Sequence, residues 1–188
     1  MKRTKTFLAL IVASAISTVA MAATIVEYGI KVGEVSVTSD NAQNVTGTYI
    51  KSGKVSYNVS TNTLTLSKTL IDCEDKGGSV ALYVTSSAKN GLHIVLEGEN
   101  TFRNTNGATV VLYKNSTFNN VYATPNIYIQ GTGTLTLEQK DSYDGHIMCM
   151  NGVNVCFGDF TMGGAGKGGC TVNARCIYSR DNAGLVKM

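Results

Sequence analysis

After residue 22, apolar and polar residues alternate with a period of two along most of the chain. This is the pattern of strands with one face buried. It is clearest in Asn126-Ile-Tyr-Ile-Gln-Gly-Thr-Gly-Thr-Leu-Thr-Leu137, where a single Gly-x-Gly step interrupts it. The same unit occurs upstream: Ile94 to Phe102 and Ile127 to Leu135 both fit Ile-x-(Leu/Ile)-x-Gly-x-x-Thr-(Phe/Leu). Apolar residues outside the first 22 do not recur at 3.6, so the pattern predicts an all-β chain.

Two strand types interleave. One set is Leu64-Thr-Leu66, Ile94-Val-Leu96, Ile127-Tyr-Ile129 and Val153-Asn-Val155. The other is Ala81-Leu-Tyr-Val84, Val111-Leu-Tyr-Lys114, Met148-Cys-Met150 and Cys176-Ile-Tyr178. Each recurs roughly every 25 to 37 residues, a solenoid period. The expected fold is a right-handed single-stranded parallel β-helix of about four coils. A hairpin over Thr24 to Thr38 is expected to cap its first exposed edge. A β-sandwich is the alternative, because short strands with frequent turn signals suit it too. Repetition of both strand types in register favours the β-helix. Residues 23–188 then form one domain. Ser179 to Met188 is no obvious cap, which predicts self-association or a partner at the C-terminal coil.

Residues 1–22 read as a signal peptide. Lys2, Arg3 and Lys5 precede an apolar run from Phe7 to Ala20, and Ala20-Met-Ala22 offers small residues for cleavage. The run is short for a membrane anchor, so a secreted protein with no membrane insertion of the mature chain is expected. The full chain carries +3, and the leader holds three of its basic residues and no acidic one. The remainder is near neutral, without the footprint of a nucleic-acid or anionic-membrane binder.

Cys73, Cys149, Cys156, Cys170 and Cys176 are odd in number. They read as small buried hydrophobes stacked between coils; one or two disulfides are the alternative. Their spacing matches neither a zinc knuckle nor a redox dithiol.

Few residues are grouped as catalysis requires. Glu97 and Glu99 flank one glycine and are expected on one face, while a hydrolase needs carboxylates converging on a sugar bond. Arg103, Arg175 and Arg180 could serve as a lyase base, but nothing in the sequence ties one to an acidic cluster. His93 and His146 are too isolated for a metal pair. Met162-Gly-Gly-Ala-Gly-Lys-Gly-Gly169 fails as a phosphate loop, since Gly168 stands where Ser or Thr is needed. For calcium, the candidate ligands are Asp72, Glu74 and Asp75, or Asp141 and Asp144.

Aligning the second strand set puts Tyr83, Tyr113 and Tyr178 in one column, with strands about 4.8 Å apart. Outward rings there could stack on sugars, with Tyr128 extending the platform. A tyrosine ladder can also serve only to stabilise a sheet.

Tyr28-Gly-Ile-Lys-Val-Gly-Glu-Val-Ser-Val-Thr-Ser39, Gly53-Lys-Val-Ser-Tyr57 with Asn62-Thr-Leu-Thr-Leu66, and Gly131-Thr-Gly-Thr-Leu-Thr-Leu137 together resemble a secreted bacterial carbohydrate-binding domain family. The resemblance implies a right-handed parallel β-helix with a lyase-like shape. It also implies non-catalytic binding of cellulosic or acidic plant polysaccharides, assisted by calcium. The functional expectation is an exported polysaccharide binder that is not an enzyme. A scaffold or adhesin solenoid is the alternative, and a polysaccharide lyase or hydrolase comes last.

Overall fold

The computed structural model describes residues 23–74, 80–85, 88–89, 91–104, 110–113, 126–139, 148–151, 154–157, 170–173, 177–180 and 186–187. Among these residues every regular element is a strand, so the chain is all-β. In chain order the strands are β1 (Glu27–Val32), β2 (Val35–Thr38), β3 (Ile50–Asn58), β4 (Thr63–Asp72), β5 (Leu82–Val84), β6 (Leu92–Glu97), β7 (Glu99–Asn104) and β8 (Val110–Tyr113). They continue with β9 (Asn126–Gly131), β10 (Thr134–Gln139), β11 (Met148–Asn151), β12 (Asn154–Phe157), β13 (Thr171–Asn173), β14 (Ile177–Arg180) and β15 (Val186–Lys187).

Three parallel stacks run through the described residues. The first half of β4 pairs with β6, then come β9, β12 and β15. The second half of β4 pairs with β7, then β10 and β13. The third stack is β5, β8, β11 and β14. The two expected strand sets lie on the first and third stacks. The middle stack was not expected as a separate set.

The sequence turns between the first two stacks at left-handed Lys68 (φ 52°) and Gly98 (φ 64°), and Gly131 (φ 109°), in register with Leu96, is left-handed at the end of β9. Gly131 is required twice over. Its φ disfavours any side chain, and a Cβ there would lie 2.3 Å from the Leu96 carbonyl oxygen of the strand beneath.

Alternation places the core on the inner faces of all three stacks. Leu64, Leu66, Ile94, Leu96, Ile129, Phe102, Leu135 and Leu82 are all essentially inaccessible. Burying each such side chain is worth about 1.5–3 kcal/mol. Val32, Val37, Val55 and Tyr57 of the N-terminal strands join the same cluster.

The expected hairpin is present, with β1 and β2 antiparallel. β1 pairs antiparallel with β5 at the start of the third stack, while β3 pairs antiparallel with β4 at the start of the other two. The outer edges of both added strands are themselves blunted. Asn41 imitates a neighbouring strand on β2, accepting from Thr38 N–H and donating to Ser36 O, each at 2.8 Å. On β3, Val45 N–H donates to Val55 O and Tyr57 N–H to Ala42 O. This end is therefore closed to strand addition.

Candidate functional site

Asn100, at the corner, shows how successive strands of the second stack are tied together. It is 1% exposed, and its side chain bonds above and below itself. Oδ1 accepts from Thr69 N–H at 3.0 Å and from the Thr69 hydroxyl at 2.8 Å. Nδ2 donates to Gly98 O and to Thr134 O, both at 3.2 Å. A buried amide with both ends satisfied fixes three successive strands in register.

With the corner fixed, the outer face of the first stack follows from alternation. Thr63, Thr65 and Ser67 of β4, His93, Val95 and Glu97 of β6, and Tyr128 and Gln130 of β9 are the less buried positions that alternate with the core residues. Parallel register gathers them into columns. Asn58, Thr63, His93 and Tyr128 form one column, and Ser56, Thr65, Val95 and Gln130 form the next. The His93 and Tyr128 rings stack with centroids 4.8 Å apart and planes 17° from parallel. His93 Nδ1 lies 3.2 Å from Gln130 Oε1, within hydrogen-bonding distance.

This geometry changes what the rings can do. Stacked along the ladder, His93 and Tyr128 turn faces toward one another, so they are not tiles laid flat on the sheet. Their remaining chemistry is polar: a phenol hydroxyl, an imidazole nitrogen and the Gln130 amide beside threonine hydroxyls. The surface therefore presents hydrogen-bonding groups rather than ring faces.

The expected tyrosine column has a different register. Tyr83 pairs with Val111, Val111 with Cys149, and Cys149 with Tyr178. Tyr113 pairs with Asn151, two residues further along. Tyr83, Tyr113 and Tyr178 are therefore never on adjacent strands of one column. Matching Leu82-Tyr83 to Leu112-Tyr113 was off by two, because Leu82 packs in register with Val110 and Val84 with Leu112. Tyr83 is half-buried between buried Leu82 and Val84, beside Lys31 of β1. Tyr128 stands in an aromatic stack with His93, while the side chains of Tyr113 and Tyr178 lie outside what is described.

The same slip affects the repeated motif. Gly131 is in register with Leu96 and Thr134 with Glu99, so Gly133, not Gly131, corresponds to Gly98. The corner at Gly98 also separates Glu97, beside Ser67 on the first stack, from Glu99, beside Thr134 on the second. They do not share a face.

On the outer face of the second stack, Arg103 is tied to carboxylates that the sequence did not connect to it. Asp72 and Glu138 lie in register on either side of it. Its Nε donates to Glu138 Oε2 at 2.5 Å, and Nη1 lies 3.9 Å from Asp72 Oδ2. Hydrogen bonding and charge attraction from Glu138 hold the guanidinium above its ordinary value, with smaller contributions from Asp72 and Glu74. A group pushed that way is a fixed cation and a poor general base.

Of the calcium candidates, Asp72 accepts from Glu74 N–H at 3.1 Å and faces Arg103. Among the described residues no three His, Cys, Asp or Glu side chains are grouped to hold a metal ion. Asp75, Asp141, Asp144 and His146 lie outside the described residues, as do the leader and the glycine-rich 162–169 stretch. Cys73 is fully buried, and the Cys170 thiol donates to Ile129 O at 3.3 Å, the behaviour of a small core side chain. Among the described residues no helix is long and apolar enough to cross a membrane.

No family model matches the chain, and neither does any curated protein or solved structure.

Proposed function

We propose that this chain is an exported, non-catalytic polysaccharide-binding protein built as a right-handed parallel β-helix. Each winding adds one strand to each of the three parallel stacks, and the N-terminal strands cap it. Support for the winding comes from parallel pairing in all three stacks, since a sandwich is built mainly from antiparallel strands. Right-handedness follows from the strong bias of parallel crossovers. Export rests on the leader-like first 22 residues.

The observation that carries the binding reading is the outer face of β4, β6 and β9. Donors and acceptors there sit at fixed spacing on a rigid sheet: Thr63, Thr65, His93, Tyr128 and Gln130. Sugars are bound through such hydroxyl-matching groups, and a preorganised surface loses little entropy on binding. The non-catalytic reading is supported by Arg103, whose guanidinium is engaged by Asp72 and Glu138, and by the separation of Glu97 from Glu99.

The test is a glycan array probed with the full mature chain. Retention of at least one polysaccharide class without release of reducing or unsaturated sugar is the expected result. Product release would contradict the non-catalytic reading, and an empty array would reject the binding reading in favour of a scaffold.

A further inference from the structure

We draw no further inference here: the strongest candidate, the outer edges of β13, β14 and β15 where the three parallel stacks end among the described residues, carries nothing, because nothing in the structure shows what covers them.

Discussion

The side chain of Asn100 takes both hydrogen bonds that Thr69 can donate, from its backbone N–H at 3.0 Å and its hydroxyl at 2.8 Å. Both residues are buried, 1% and 2% exposed, so water cannot replace either partner. Asn100→Ala would strand the Thr69 donors, and each buried unsatisfied group costs about 1–3 kcal/mol. The expected loss is about 2–4 kcal/mol by urea unfolding. Thr69→Val removes only the hydroxyl and should cost about 1 kcal/mol. Equal losses for the two variants would contradict the role of Asn100 as the corner tie.

Gly131 and Gly91 give a contrasting pair. Both have left-handed backbones, at φ 109° and 73°, but a Cβ at 131 would lie 2.3 Å from Leu96 O while one at 91 meets nothing within 4 Å. Gly91→Ala should cost about 1–2 kcal/mol, the ordinary penalty for that conformation. Gly131→Ala should cost about 3 kcal/mol or more, because the next strand must also shift. Circular-dichroism melts of the two variants test the difference.

Tyr57 supplies a pH signature. Burial, and secondarily repulsion from Tyr28, raises its phenol above the ordinary 10.0, and its hydroxyl donates to Asn62 Oδ1 at 2.8 Å. The unfolded chain therefore gives up this proton at lower pH than the folded one. Stability from the neutral phenol is fully present below pH 10 and falls as pH rises through the folded value. Melting temperature should decline above pH 10, and Tyr57→Phe should reduce the slope of that decline. An unchanged slope in the variant would assign the effect to other groups.

Arg103 should matter little to stability despite its two partners. Its side chain is 36% exposed and that of Glu138 is 44% exposed, so solvent screens the pair. Such exposed pairs contribute about 0–1 kcal/mol. Arg103→Ala is expected within that range, with a smaller difference at 1 M salt. A loss above about 2 kcal/mol would mean that the bridge holds the second stack together.

The strands themselves were legible in the sequence because alternation marks which face is buried. Leu64-x-Leu66, Ile94-x-Leu96 and Ile127-x-Ile129 were matched to one stack for that reason. Register was not legible to the same degree. A slip of two residues keeps every side chain on its own face, so Ile127 could be matched to Ile94 although it pairs with Leu92. The tyrosine column failed for the same reason. The middle stack was hidden in β4, where the corner is made by Lys68 at φ 52° in place of a glycine. No glycine between Thr63 and Asp72 marks that corner. The Asp72–Arg103–Glu138 column could be found only once that corner was known. The contact of His93 with Tyr128 and Gln130 is not legible in the sequence because His93 lies 37 residues from Gln130, on the neighbouring strand. Aligning buried Leu92 with Ile127 is the signal that would have brought all three together.

Glycan binding is proposed for the outer face of β4, β6 and β9. It is tested most directly by comparing His93→Ala and Tyr128→Phe with Thr136→Ala, which lies on the outer face of β10 in the second stack. Dissociation constants for one polysaccharide retained on the array should weaken at least about fivefold for both first-stack variants and stay within twofold of the parent for Thr136→Ala. Wild-type affinity in both His93→Ala and Tyr128→Phe, or an equal loss in Thr136→Ala, would place the binding surface elsewhere.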